Sequence, residues 1–139
     1  MNIMVSYDGS TAAKKAVQIA QKRAKTMRAV VFIVKSYSKA MYDSSGDKAA
    51  EKLWKDVEKA EQELNDIRTN FDKDKIICNT HVSVRSLDPG EDLVTYAEKN
   101  KIDEIIIGIQ KKSKVGKLLF GSTAQHVILK AKCPVLTVK

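Results

Sequence analysis

The sequence predicts a three-layer α/β fold, an open, doubly wound sheet of five parallel strands with helices on both faces. Short runs of β-branched residues alternate along the chain with longer segments in which apolar residues recur every three or four positions. This alternation is typical of βαβ units, whose right-handed crossovers place helices on both sides of a parallel sheet. No linker, repeat or low-complexity segment divides the chain, so we expect a single domain over residues 1–139.

The first half of the chain predicts two strands and two helices. Residues 3–6 are a brief apolar run, and residues 30–34 are a continuous one, typical of a strand covered on both faces. Residues 35–47 show no periodicity, and we expect a mobile loop there. Trp54 lies beside the apolar stripe of the second helix, where we expect a packing or dimer contact. The residues predicted to be buried in the two helices are Ala13, Ala16, Val17, Ala20, Ala24, Met27, Leu53, Val57, Ala60, Leu64 and Ile67.

The second half of the chain predicts three more strands and two more helices. The strands are expected at residues 76–84, 105–107 and 134–138. Pro134 stands at the start of the last strand, where a missing N–H group is tolerated. The residues predicted to be buried in the two helices are Leu93, Val94, Ala97, Ala124, Val127, Ile128 and Ala131.

The start of the third helix has a clear local signal. Asp88 is the expected cap, and Pro89 occupies the first helical position, which proline favours. Glu91 and Asp92 follow in the first turn, where their negative charge offsets the helix dipole. We therefore assign no acid–base chemistry to these two carboxylates.

The charge and composition restrict the class of partner. The net charge of +8 favours anionic partners without choosing among nucleotide, nucleic acid and membrane. Aromatic residues do not interleave with the lysines of residues 111–117, so we do not expect nucleic-acid binding. Apolar runs are too short to cross a bilayer, and the N-terminus lacks a signal-peptide pattern. With Cys78 and Cys133 interpreted as reduced thiols, we expect a cytoplasmic protein without membrane association.

The most informative candidate site lies between the fourth strand and the last helix. Ligands of open parallel sheets bind beyond the carboxyl ends of the strands, where the strand order reverses. Residues 108–123 contain a strand-ending glycine, four lysines and the sequence Gly121-Ser122-Thr123 at the start of a helix. A helix N-terminus offers free N–H groups and positive dipole, which suit a phosphate. On composition alone, a helix cap at Ser122 or Thr123 with no ligand is the better explanation; the coincidence of a cap, a basic loop and two glycines at strand ends in one region favours a ligand.

We find no catalytic constellation in the sequence. A Walker A loop is excluded because Lys117 is followed by Leu118, where that motif needs Ser or Thr. His81 and His126 are not spaced as a metal pair, and we interpret them as structural or surface residues. We therefore expect no catalytic residue, no intrinsic metal and no enzyme activity, although weak hydrolysis of a bound phosphate, with Asp8 as the metal carboxylate or the water-orienting base, stays open.

Three segments resemble the universal stress protein family. Residues 108–111, Gly-Ile-Gln-Lys, are followed nine residues later by Gly121-Ser122, which is similar to the family's phosphate-binding signature. Residues 5–10 resemble its first strand and acidic turn, and residues 132–138 resemble its final strand. The resemblance covers essentially the whole chain. One departure is Lys111, which stands where the signature has its second glycine.

The resemblance implies a fold of the adenine-nucleotide α-hydrolase-like type and a dimeric stress-response regulator that binds ATP or AMP, with or without Mg²⁺. Asp8 is implied as the acceptor of the ribose hydroxyls, and Val34 as part of the adenine slot. The last strand is the implied contact of a homodimer. The implied nucleotide-binding residues are Ser6, Tyr7, Asp8, Val34, Gly108, Gln110, Lys111, Gly121, Ser122 and Thr123.

Lys111 keeps two hypotheses open. Its side chain would either crowd the phosphates or supply ammonium charge in place of backbone donors. In the first hypothesis the protein is an adenine-nucleotide-binding regulator. In the alternative it is a nucleotide-independent dimeric module that binds a protein partner, which the sequence does not identify, through its dimer surface, residues 35–47 and the lysines of 111–117.

Overall fold

The computed structural model describes residues 1–110 and 120–139. This part of the chain forms five parallel strands, four α-helices and one 3₁₀ segment, Lys39–Lys48, so the predicted fold class is confirmed. The strands are β1 (Asn2–Ser6), β2 (Val30–Ser38), β3 (Cys78–Arg85), β4 (Glu104–Gly108) and β5 (Val135–Val138). The helices are α1 (Thr11–Met27), α2 (Ala49–Lys73), α3 (Pro89–Lys99) and α4 (Ser122–Lys130).

The order of the strands across the sheet is β3-β2-β1-β4-β5. The chain moves outward from β1 to β2 and β3, and then returns to the other side of β1 with β4 and β5. Ser6, at the end of β1, lies in register with Val34 of β2 and with Ile107 of β4. The strand order therefore reverses between β1 and β4, and the crossovers leave this point in opposite directions. A doubly wound sheet has its ligand crevice at such a point.

Two apolar layers cover the sheet because successive side chains of each strand point to opposite faces. Ile3 and Val5 of β1 pack beneath α1 and α2, together with the alanines of α1 and with Phe71. Met4 points the other way and packs beneath α3 and α4. β1 and β4 are almost completely buried at the centre of the sheet. The strand ends that carry the candidate site are thus fixed by a rigid core.

The prediction of a loop over residues 35–47 is wrong. β2 continues to Ser38 and pairs with β3 along its length, and the 3₁₀ segment follows. Tyr37 and Tyr42 hold this region in place: their rings lie 6.3 Å apart, and both contact the cluster of Leu53 and Val57. The sequence shows no periodicity here because these contacts come from α2 and β3, not from neighbours along the chain.

Several smaller predictions also need correction. Met27 and Ile128, predicted to be buried, are 43% and 36% exposed, because they lie at the edges of their helical stripes. Trp54 is 61% exposed in the single chain, so the packing contact expected of it is wrong, whereas the alternative, a dimer contact, stays a prediction. Asp88 is the N-cap of α3 as predicted, but within the described residues its side chain makes no capping hydrogen bond.

Candidate functional site

A cavity of about 350 Å³ opens at the carboxyl ends of β1 and β4, where the strand order reverses. Its volume is within the range of small-molecule sites. One wall contains Ser36, Met41, Pro89 and Leu93. The residues predicted from the sequence that line the cavity are Ser6, Tyr7, Asp8, Gly108, Gln110, Gly121, Ser122 and Thr123. The structure thus brings together eight of the ten predicted residues.

The two other predicted residues are not among the described residues that line the cavity. Lys111 lies outside the described residues, as do the other lysines of 111–117. Val34 is 1% exposed and belongs to the apolar layer beneath α3 and α4. Its carbonyl accepts a hydrogen bond of 2.9 Å from the Tyr7 backbone N–H. We therefore correct its assignment: β2 does not end at Val34, and Ser36, two residues further along the strand, lines the cavity instead.

The turn after β1 presents Asp8 to the cavity. Asp8 Oδ1 accepts a hydrogen bond of 2.9 Å from the Ser10 N–H, and Ser10 Oγ in turn accepts one of 3.1 Å from the Ala13 N–H. Ser10 is thus the cap of α1, and Asp8 braces the turn that precedes it. Gly9 makes this turn possible because its φ of +83° is unfavourable for other residues. Asp8 remains exposed, so its carboxylate is accessible to hydroxyl donors in the cavity.

Gly108 and Gly121 are glycines for different reasons. A Cβ on Gly108 would lie 2.6 Å from backbone atoms of Ala12 and Ala13, so this glycine lets α1 approach the end of β4. A Cβ on Gly121 would meet no described atom within 4 Å. The missing side chain of Gly108 thus makes room for α1, and Gly108 also lines the cavity. At Gly121, by contrast, the open space borders the cavity.

The N-terminus of α4 points to anion binding. Gly121 is the N-cap, so within residues 1–110 and 120–139 no capping side chain competes for the first N–H groups of the helix. Ser122 is exposed, Thr123 is half-buried, and the hydroxyls of both residues can donate hydrogen bonds. The first turn of α4 contains no acidic residue, so the positive end of the helix dipole is not offset there.

A polar pair that the sequence did not predict lies at the opposite end of the cavity. The Ser36 hydroxyl donates a hydrogen bond of 2.6 Å to Asp92 Oδ2. Asp92 is 3% exposed, although we interpreted it only as a partner of the helix dipole. No local signal could have revealed this pair, since the two residues are 56 positions apart and residues 35–47 were interpreted as a loop.

The histidines and the other titratable groups are not arranged for catalysis by a metal. Within residues 1–110 and 120–139, no group of three or more His, Cys, Asp or Glu side chains could hold a metal ion. His81 stacks on Tyr96 with ring centroids 5.2 Å apart, and His126 packs against Gly90 of α3. None of the helices in the described part of the chain is long and apolar enough to span a membrane.

Comparisons of sequence and of structure with known proteins both match along the full length of this chain. The sequence pattern of the universal stress protein family matches residues 1–139. Stress response protein NhaX of Bacillus subtilis is 27% identical over 160 residues, which cover 99% of this chain and 96% of that protein. A solved universal stress protein from Archaeoglobus fulgidus is 31% identical, with a TM-score of 0.81 and coverage of 100% of this chain and 98% of the other.

A further solved structure contains a ligand. It is the universal stress protein from Archaeoglobus fulgidus in complex with dAMP, 28% identical, with a TM-score of 0.77 and coverage of 100% of this chain and 98% of the other. Sequence and fold thus agree along the whole chain, from the acidic turn after β1 to the final strand. The chain belongs to the universal stress protein family.

Proposed function

We propose that this protein binds an adenine nucleotide, ATP or AMP, in the cavity at the ends of β1 and β4, and acts as a dimeric stress-response regulator in the cytoplasm, not as an enzyme. The observation that carries the proposal is the arrangement of the cavity wall. An uncapped helix N-terminus lies at one end, an exposed carboxylate lies at β1, and apolar side chains lie at the other end. The dAMP-bound relative from Archaeoglobus fulgidus supports a ligand of this class.

The order of the strands supports one orientation of the proposed nucleotide. The phosphates would lie at α4, where the N–H groups and hydroxyls of Ser122 and Thr123 can donate to them. The ribose would lie at the end of β1, where Asp8 accepts its hydroxyls. The base would lie at the end of β2, between Met41, Pro89 and Leu93. A nucleotide in the opposite direction would place its phosphates against apolar side chains and its base on a helix dipole.

Lys111 lies outside the described residues, and its place in the family signature assigns it to the phosphate end of the proposed orientation. In the family signature its position holds a glycine, so the proposal assigns its ammonium group to the phosphates in place of backbone donors. Coulomb attraction between the two charges at a few ångströms is about 1–4 kcal/mol at intermediate dielectric, which is at least as large as the roughly 0.3–1 kcal/mol typical of a helix dipole. Mg²⁺, where present, would arrive with the phosphates, since the described residues form no metal site of their own.

The dimer proposal rests on the edge strand β5. One edge of β5 faces away from β4, and an unpaired edge can pair with another chain. Leu136 on this strand is 38% exposed, and Leu129 of the preceding helix is 69% exposed. We expect Leu136→Lys to convert a dimer into a monomer in sedimentation equilibrium. Ile77→Lys at the opposite edge of the sheet is the matched control, because Ile77 is 66% exposed and should tolerate the charge.

Titration calorimetry with ATP, ADP and AMP tests nucleotide binding. Gly121→Asp places a carboxylate at the N-terminus of α4, where Asp is a good cap and therefore preserves the helix. The same carboxylate repels phosphate, so we expect at least a tenfold loss of ATP affinity, or about 1.4 kcal/mol. Gln125→Glu, an exposed residue outside the cavity wall, controls for the added charge.

The outcomes separate the two functional hypotheses. A wild-type protein that binds none of the three nucleotides, or binds them as well after Gly121→Asp, would overturn the proposal. A stable dimer with no nucleotide affinity would instead favour the nucleotide-independent interaction module. Phosphate release above a protein-free blank would contradict the assignment as a non-enzyme.

A further inference from the structure

We propose that Ser36 and Asp92 make this cavity select purines with a 6-amino group, such as adenine, over purines with a 6-oxo group, such as hypoxanthine. The inference rests on the proposed function, because it concerns the base end of the same cavity. It follows from the direction of one hydrogen bond and from the chemistry of the groups around it.

The Ser36 hydroxyl has its only hydrogen committed. A serine hydroxyl offers one O–H donor and two acceptor lone pairs. The donor is used in the 2.6 Å hydrogen bond to Asp92 Oδ2, and a carboxylate can only accept. The oxygen of Ser36 therefore presents lone pairs to the cavity and acts there as an acceptor.

Burial of Asp92 keeps this direction fixed. Asp92 is 3% exposed and lies in the first turn of α3, where the helix dipole favours its negative charge. Hydrogen bonds to an ionised group are stronger than neutral ones, so the hydroxyl gains little by turning towards a ligand. Asp92 thus acts as a positioning residue that orients the Ser36 hydroxyl.

Because the neighbours of Ser36 are apolar, the acceptor character of its oxygen determines which substituent of the base can be bound there. Its neighbours at this end of the cavity are Met41, Pro89 and Leu93, whose side chains offer no hydrogen-bond donor. Among the described wall residues, the Ser6 hydroxyl, the Gln110 amide and the N-terminus of α4 also carry donors, but they belong to β1, to the segment after β4 and to α4, and not to the β2 and α3 side of the cavity where Ser36 lies. A polar substituent on the base therefore has to be satisfied by Ser36 or by water.

Adenine and hypoxanthine differ in the substituent at position 6 of the purine ring, which would lie near Ser36. The 6-amino group of adenine donates a hydrogen bond, which the Ser36 oxygen can accept. The 6-oxo group of hypoxanthine is an acceptor, so two acceptors would face each other and one buried oxygen would stay unpaired. A buried polar group without a partner is costly, and we expect ITP to bind about tenfold more weakly than ATP.

Calorimetric affinities for ATP and ITP, whose bases differ in the substituent at position 6 and in the hydrogen that hypoxanthine carries on N1, test the inference in the full chain. Ser36→Ala should reduce the ATP preference to within about twofold, because the acceptor is gone. Asp92→Asn should act in the same direction: an amide can donate to Ser36 Oγ and release the hydroxyl hydrogen towards the base. Ser122→Ala at the phosphate end is the matched control, and should weaken both nucleotides by the same factor.

Each outcome decides the question, and thermal unfolding confirms that the variants are folded. A tenfold preference that Ser36→Ala removes supports the inference; should Asp92→Asn fail to fold, Ser36→Ala decides alone. Equal affinities of the wild type for ATP and ITP would overturn the inference but leave nucleotide binding intact. A preference that survives Ser36→Ala would also overturn it. Absence of binding by either nucleotide would overturn both this inference and the proposed function.

Discussion

The Tyr7 hydroxyl donates a hydrogen bond of 2.5 Å to Glu63 Oε1, which joins the turn after β1 to α2. Tyr7 is 3% exposed, so its ring is packed in the core while its hydroxyl reaches the carboxylate of the helix. Its backbone N–H bonds to Val34, and the next residue is Asp8. Tyr7 thus holds the cavity edge at β1 between β2 and α2.

Tyr7→Phe should lower the free energy of unfolding by about 1–2 kcal/mol, because the Glu63 carboxylate loses a charge-assisted hydrogen bond. Urea unfolding followed by circular dichroism measures this change. Tyr96→Phe is a suitable control, since the ring of Tyr96 stacks on His81 and needs no hydroxyl for that contact. A cost below about 0.5 kcal/mol for Tyr7→Phe would mean that the hydrogen bond has no net effect on stability.

The stability of the protein should fall at alkaline pH. Burial, followed by the hydrogen bond to Glu63, raises the pKa of Tyr7 above its ordinary value of 10.0. Below pH 10 both states keep the proton; above it the unfolded chain releases the proton and the folded chain retains it. The free energy of unfolding therefore decreases by up to about 1.4 kcal/mol per pH unit for this one group.

Urea unfolding at several pH values from 8 to about 11 measures this decrease. Tyr7→Phe should give a shallower slope than the wild type. The slope should not vanish, because burial also raises the pKa of Tyr42 and Tyr96. Identical slopes for the wild type and Tyr7→Phe would contradict the prediction.

The two glycines of the cavity should differ in how much stability a methyl group costs. Gly108→Ala should destabilise the protein by about 1–3 kcal/mol, because its Cβ would meet the backbone of α1 at 2.6 Å. Gly121→Ala should cost less than about 1 kcal/mol, since only its capping preference changes. Thermal unfolding compares the two variants. A larger loss at Gly121 than at Gly108 would show that their packing is the reverse of that described here.

The two cysteines should differ in reactivity. Burial raises the pKa of the Cys78 thiol to about 12, and it also raises the pKa of Cys133, which is less buried. Since the thiolate is the reactive form, both thiols should react slowly at neutral pH. We expect a disulfide reagent to modify Cys133 first and Cys78 only on unfolding, as mass spectrometry of peptides would reveal. Faster modification of Cys78 in the folded protein would contradict its burial.

The order of strands and helices could be predicted from the sequence alone. Apolar runs, helical stripes and start signals such as Pro89 reflect burial and backbone preference within a few residues. The candidate site was predictable in part for the same reason. Asp8, Gly108 and Gly121 follow a strand or precede a helix, and the βαβ order places these points at one end of the sheet.

Other features were decided only by tertiary structure, because they depend on residues far apart in the chain. The continuation of β2 to Ser38 depends on pairing with β3 and on the contacts of Tyr37 with α2. Gly108 is required by α1, which precedes it by about 80 residues or more. The Ser36 hydroxyl is oriented by its hydrogen bond to Asp92, 56 residues away. Local sequence encodes the conformation of each segment, whereas only packing determines which side chains meet.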